Sequence, residues 1–341
     1  MSISLTLPGV KFHDDTEQTT AQYPVFKNKI INSEMMISQR GTSFPAIASG
    51  AYSLDRWVYT NTSAAVATIT QQLDAPAMFI NSLRYAVTTA DAAIAATDYA
   101  VIEQRIEGLE IGDLISSTFT ISFWVRSSKT GIHCVAVQNQ ILDASYIREY
   151  TINTANTWEY KTITVTGGLP NSYIWNLDNT TGLRLRFVLA AGTNFHNGNN
   201  AWTTSFNKLA TVNQVNCLDT IGNIFAITGV QLERAPTATA FEYRDTNIVL
   251  MMCQRYFALA AANNRMWASA AAQTFVQPLL WPVVMRDVPT VTFIVAATDA
   301  GFTAKSAVNI TQYGAGLQLT ATAAGNGCYS LYGEAAALAE L

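Results

Sequence analysis

The residues best suited to ligand chemistry sit in one loop. Positions 194–202 read NFHNGNNAW, which places Asn194, Asn197, Asn199, Asn200, His196 and Trp202 within a single short stretch. Planar amides hydrogen-bond to hydroxyl groups, and an indole face covers the C–H side of a sugar ring. Tyr173 and Trp175, near Asn171 and Asn176, form a second set of the same composition. Trp202, Asn199, Asn200, His196, Trp175 and Tyr173 are therefore the candidate glycan contacts. The plain alternative is a turn between strands, in which Asn tolerates a left-handed backbone. A third aromatic element, Asp55-Arg56-Trp57, offers a ring and a guanidinium, but a Trp followed by Val58 and Tyr59 reads better as a core anchor.

Catalysis finds little support. Glycoside hydrolysis needs two carboxylates about 5–9 Å apart. Asp14 and Asp15 fall in a polar tether, and nothing in the sequence brings Glu103, Glu107 and Glu110 together. Of the three His residues, His13 lies in the same tether and His133 in a strand-like run, and there is no GxSxG, HExxH or P-loop. The chain reads as a binding or structural protein rather than an enzyme. No cofactor motif is present, and no EF-hand spacing supports a structural calcium ion. The four cysteines (Cys134, Cys217, Cys253, Cys328) stand alone and read as free thiols.

The elements that must carry these residues are strands. Phe119, Ile121, Phe123 and Val125 alternate with Thr120, Ser122, Trp124 and Arg126, and Leu183, Leu185, Phe187 and Leu189 repeat the pattern. Period-two runs with one apolar face pack as two sheets over a shared core. Between Phe225 and Leu232 the apolar phase slips across Gly229, which predicts a bulge there. Residues 30–245 thus read as one antiparallel jelly-roll sandwich. Residues 246–262 read as a short linker helix capped near Asp245 or Thr246, and 263–341 as a smaller C-terminal β domain. Residues 1–29 hold an alternating run (positions 2–7), then Pro8-Gly9 and a polar tether. This piece is too short for a core, and it reads as an attachment segment or a strand returned to the chain's own sheet. The fold class is all-β.

Composition narrows the partners. Across 341 residues, 49% are hydrophobic and only 13% charged, against roughly 25% charged in an average domain. The net charge is −4 and no Lys/Arg run exists, which argues against nucleic acid. No stretch of about 18 apolar residues is present, so membrane insertion by a helix is not expected, and nothing resembles a signal peptide. Residues 263–341 carry only seven charged side chains, a surface suited to packing against other chains.

Several motifs, in order, resemble one family. Positions 30–41 (IINSEMMISQRG) look like the opening IINGxFxIxQRG of many phage tail-fibre and virion proteins, and 52–57 (YSLDRW) like their YxxDRW element. The runs 123–131 (FWVRSSKTG), 155–160 (ANTWEY), 227–233 (ITGVQLE), 238–244 (ATAFEYR) and 253–257 (CQRYF) continue the series, so the resemblance covers about residues 30–257. It implies a jelly-roll similar to carbohydrate-binding modules in particle proteins that are often trimeric. The expectation is a virion protein of tail-fibre or receptor-binding type that recognises host surface glycan, attached to other virion proteins through residues 1–29. A capsid decoration, head-fibre or tail-adaptor role is the structural alternative, and a polysaccharide-cleaving tail enzyme is a distant third.

Overall fold

A computed structural model describes residues 10–11, 17–18, 26–261, 264–267, 271–300, 302–321 and 328–341. The expected strand at positions 2–7 lies outside them. Two short strands, β1 (Val10–Lys11) and β2 (Glu17–Gln18), pair antiparallel. Twelve strands follow before the helix: β3 (Ser43–Phe44), β4 (Trp57–Asn61), β5 (Val66–Gln72), β6 (Ser82–Thr89), β7 (Tyr99–Glu107), β8 (Phe119–Ser127), β9 (Gly131–Gln138), β10 (Ser145–Ile152), β11 (Glu159–Val165), β12 (Thr181–Ala191), β13 (Ala201–Thr203) and β14 (Ile224–Glu233). They form two six-stranded antiparallel sheets, ordered β13-β10-β9-β12-β7-β4 and β11-β8-β14-β6-β5-β3. This is the antiparallel sandwich that the alternation predicts.

Alternation decides what lies between the sheets. Phe119, Ile121, Phe123 and Val125 of β8 are all fully buried, as are Leu183, Leu185, Phe187 and Leu189 of β12. Phe123 and Phe187 meet edge to face with centroids 5.0 Å apart, and Trp57 lies 6.2 Å from Phe187. Truncating such a ring costs about 3–5 kcal/mol. Trp57 is thus a core anchor, its indole N–H donating to the Asn32 carbonyl at 3.2 Å. The bulge also falls where the phase slip puts it. The β14–β8 register shifts between Thr228 and Gln231, and Gly229 has φ +59°. A Cβ at Gly229 would sit 2.5 Å from the Phe79 ring.

The two outer faces differ. Residues 192–215 fold back over the first sheet, where Leu209 and Ala210 cover Val101, Cys134, Ala136, Ile147 and Val188. Beside them Glu103, completely buried, is ion-paired with Arg186, Arg105 (2.9 Å) and Arg184 (3.3 Å). The second sheet is covered only at one end. There the segment after β14 returns, so that Gln231 Oε1 accepts from the Glu242 N–H and Glu233 from Thr239. At the other end the partly exposed side chains of Trp124, Arg126 and Arg84 form the surface over the buried Ala226 and Thr228.

Two boundaries need correction. Residues 27–29 belong to the jelly-roll and not to a tether: Lys29 N–H donates to Leu232 O, and Asn28 Oδ1 accepts from Leu232 N–H. The linker helix α1 covers Thr246–Gln254 only, with Asp245 as its N-cap accepting from Asn247 N–H at 2.8 Å. From Phe257 the chain is strand β15 (Phe257–Ala261), because β21 (Cys328–Leu338) offers it a full ladder from Leu338 to Glu334. β16 (Asn264–Trp267) extends β15 along that edge of β21, and β18 (Thr290–Ala300) pairs with the opposite edge. β17 (Thr274–Leu280), β20 (Gly314–Ala321) and β19 (Phe302–Val308) make a second sheet. The core between these sheets is rich in alanine, with Leu279, Trp281, Met285, Leu317 and Leu319 as its large buried members.

The C-terminal domain is tied to the jelly-roll by charge. Glu340 pairs with Arg56 and with Arg40 (2.9 Å), while Arg286 donates to the Asn179 carbonyl of the jelly-roll at 2.8 Å. The Arg56 guanidinium is buried over the Tyr256 ring, 3.4 Å from its centroid. Asp55 is equally buried and accepts from the Gln39 backbone N–H at 2.9 Å. The DRW element is therefore a structural hub.

Candidate functional site

The other end of the second sheet's outer face carries an aromatic lane. Even-numbered positions of β8 point away from the core, which puts Trp124 and Arg126 on this face. Register then sets their neighbours. Tyr160 on β11 stands opposite Trp124, with ring centroids 5.4 Å apart, and Thr228 on β14 flanks Trp124 on its other side. In the next row Arg126 stands beside Ala226, Ala226 beside Arg84, and Arg84 beside Thr70. Two ladder spacings put the two arginine Cα atoms about 10 Å apart. Trp158, just before β11, closes the row: the Arg126 guanidinium lies 5.6 Å from its ring centroid. Tyr160 is 45% exposed, enough for its ring to meet a ligand, and Trp124 and Trp158 are half-buried.

The loop between β5 and β6 builds one wall. Asp74 accepts from Arg126 at 2.5 Å and from the Trp158 indole N–H at 3.4 Å, and its backbone carbonyl takes the Ser82 hydroxyl at 2.6 Å. Further along, Asn81 O receives the Thr228 hydroxyl, while the Phe79 ring lies on Gly229 and against Phe241, 4.9 Å between centroids. On the sheet's other face, opposite Val125, Glu159 accepts hydrogen bonds from Asn153, Thr154 and Lys161. Burial opposes its charge, but these bonds outweigh it and hold the carboxyl down at about 2. Arg84 differs from all of these. It is half-buried, its Nε has no hydrogen-bond partner, and among the described residues it forms no ion pair. The arrangement can stack a ring on Trp124, Tyr160 or Trp158 and meet polar substituents with Asp74, Arg126 and Arg84.

The residues singled out from the sequence come together in part. Trp202 packs against Tyr146 (5.4 Å), Tyr173 (6.0 Å) and Trp175 (5.6 Å), so two stretches distant in sequence share one aromatic cluster at the β10–β13 edge. Trp175 is largely buried and donates to the Pro170 carbonyl at 2.9 Å. The amides tie the loop to β10. Asn200, at φ +62°, donates its N–H to Ile147 O and accepts the Tyr146 hydroxyl at 2.5 Å. Asn199 Oδ1 accepts from the Glu149 N–H at 3.0 Å, and His196 Nε2 donates to the Ala191 carbonyl at 2.9 Å. Sequence reasoning passed over Trp124, Trp158, Tyr160, Arg126 and Arg84 as contacts. The signal was the phase of β8, which places a Trp and an Arg on the polar face of a strand whose other face is core.

Elsewhere, a cavity of about 280 Å³ lies at the seam between β7, α1 and residues 26–31. Its guanidinium groups are engaged: Arg255 with Glu107, and Arg244 with Glu242 and the Asn28 carbonyl. Among the described residues no group of His, Cys, Asp and Glu is placed to hold a metal ion, and no helix is long and apolar enough to cross a membrane.

No protein-family model matches the chain, and no curated protein matches it in sequence. Solved structures do. The enzymatically active domain of bacteriophage CBA120 tailspike protein 4 aligns over 56% of this chain and 21% of its own, with 18% identity and TM-score 0.32. The family 11 carbohydrate-binding module from Clostridium thermocellum, solved with a β-1,3-1,4-mixed-linked tetrasaccharide, aligns over 57% and 96%, with 12% identity and TM-score 0.30. The C-terminal family 22 carbohydrate-binding module of Clostridium thermocellum Xyn10B gives 57% and 99%, 13% identity and TM-score 0.31. The match thus spans about a fifth of the tailspike chain and nearly all of each module. At these scores the likeness carries no argument about function, which rests on the geometry of this chain.

Proposed function

We propose that this chain is a non-catalytic glycan-binding protein of a bacteriophage particle, and that the glycan lies along the lane formed by Trp124, Tyr160 and Trp158. The observation that carries the reading is the lane itself: three aromatic rings on one outer sheet face, with Asp74, Arg126 and Arg84 at their edge. Aromatic faces take up the C–H side of a pyranose, while charged and amide groups read its hydroxyls. Among the described residues the lane's rings and arginines contact one carboxylate, that of Asp74, whereas glycoside hydrolysis needs a pair, and this supports binding over hydrolysis. The virion assignment draws on the motif series at 30–257. In that setting residues 1–25 would provide attachment to other virion proteins, and trimer formation would multiply a weak single-site affinity.

The convergence of Trp202, Tyr173 and Trp175 favours a second reading, in which the β10–β13 edge with Asn199 and Asn200 makes the contact. A glycan array on the wild-type protein and on Tyr160→Ala, Trp158→Ala and Trp202→Ala separates the two. Losing one ring from a sugar face removes about 1.5–3 kcal/mol, roughly a 10- to 150-fold loss of affinity. The first reading expects that loss in the Tyr160 and Trp158 variants only, the second in the Trp202 variant only. An array blank for every glycan would overturn both and favour a structural part of the particle. Immunogold labelling of intact particles tests the virion assignment, and particles without label would refute it.

A further inference from the structure

We infer that the glycan is an acidic one, and that Arg84 receives its carboxylate. The inference rests on the lane as the binding face and adds the chemical class of the ligand. Three observations support it. Arg84 projects from β6 onto the lane's own row, across Ala226 from Arg126. Its guanidinium has no acidic partner among the described residues, a state it shares with Arg148 and the exposed Arg234, and neither of those two stands on the lane, whereas its row neighbour Arg126 is paired with Asp74. And the face holds two guanidinium groups against the one carboxylate of Asp74, on a chain whose net charge is −4.

A half-buried guanidinium without a partner forgoes charge-assisted hydrogen bonds that each contribute about twice a neutral one. Its planar fork matches a carboxylate in two parallel bonds. Ala226 between the two arginines is buried beneath them, so a ligand would meet the guanidinium groups and not the sheet itself. The charge is also sparse, since Thr70, Thr228 and Ala226 around Arg84 are neutral. One isolated cation suits a polymer with one carboxylate per repeat, such as a uronate polysaccharide. It does not suit a polyphosphate chain, which would need a basic row. Asp74 and Arg126 would then take hydroxyl groups of the neighbouring sugar.

The test is affinity electrophoresis of the full chain through gels containing polygalacturonate, alginate or hyaluronan, each matched with its carboxyl-reduced product. The wild-type protein should be retarded by at least one acidic polymer and not by its reduced form, and the retardation should weaken with salt. Arg84→Gln should lower affinity roughly 10- to 150-fold. Arg84→Lys, which keeps the charge and loses the fork, should retain part of it. Equal retardation by acidic and reduced polymers, or full binding by Arg84→Gln, would overturn the inference and leave the lane reading standing. Retardation by no polymer would overturn the inference, and only a blank glycan array in addition would remove the lane reading. The comparison of each acid with its reduced form uses unaltered protein, so it holds even where a variant misfolds.

Discussion

Replacing Glu103 by Gln should destabilise the jelly-roll more than any change on the lane. The Glu103 carboxylate is completely buried in the covered sheet and is shared by Arg186, Arg105 and Arg184. Burial opposes its charge, but the three guanidinium groups outweigh that and hold its pKa below the ordinary value. Gln keeps the shape and removes the charge. Arg186, 2% exposed, would keep Asn207 Oδ1 at 3.0 Å and no anion. Removing one partner of a buried pair costs about 3–5 kcal/mol, which lowers Tm by roughly 6–20 °C in a domain of this size. Thermal unfolding followed by circular dichroism at neutral pH reads this directly. Because the folded-state pKa is depressed, the stabilisation is complete above the unfolded carboxylate value and is lost as pH falls through the folded one. The gap between wild type and E103Q should therefore close in acid. The double variant Glu103→Gln, Arg186→Gln should lose less than the sum of its parts, since the second change removes the stranded charge. A loss under about 1 kcal/mol, or an additive double variant, would refute the claim that these charges depend on one another.

Two further predictions concern the same sandwich. His133 is buried on β9, and its pKa is pushed down from 6.5 to about 4, by burial first, against the opposing pull of the Lys129 carbonyl. Its neutral form therefore stabilises the fold fully above pH 6.5. As pH falls from 6.5 towards 4 the unfolded chain takes the proton first, at a cost of about 3 kcal/mol. Urea titrations at pH 7.5 and 4.5 should show this slope in the wild type and a shallower one in His133→Asn; identical slopes would sink the argument. Gly168 has φ +68°, and a Cβ there would lie 2.2 Å from the Ser117 carbonyl oxygen and 2.4 Å from that of Leu114. Gly168→Ala should lower stability by more than about 2 kcal/mol, and an unchanged urea midpoint would contradict the packing described for that turn.

Much of the fold was legible because alternation is a local signal. The runs in β8 and β12 predicted both the sandwich and its inward residues, and the slip at Gly229 predicted a bulge that the register confirms. Trp57 was readable as core for the same reason. What stayed hidden depends on contacts between distant residues. Asn28 reads as part of a tether until its side chain is seen joining Val230 and Leu232 across the sheet. Leu259 continues the helical spacing of Ile248, Met252 and Tyr256, and only the ladder to β21 makes 257–261 a strand. The lane is assembled from Asp74, Arg84, Trp124, Trp158 and Ala226, whose adjacency follows from register between five segments, and register is not written in any one of them. The 194–202 loop was attractive for its amides, yet those of Asn199 and Asn200 are spent on tying the loop to β10.

The most direct test of the account is hydroxyl-radical footprinting, read by mass spectrometry, with and without a glycan that scores on the array. The account predicts that bound glycan protects Tyr160 and Trp158, with a smaller effect at the more buried Trp124, and leaves Tyr173 and Trp202 unchanged. Protection confined to Tyr173 and Trp202, with none at Tyr160, would contradict it and move the site to the β10–β13 edge.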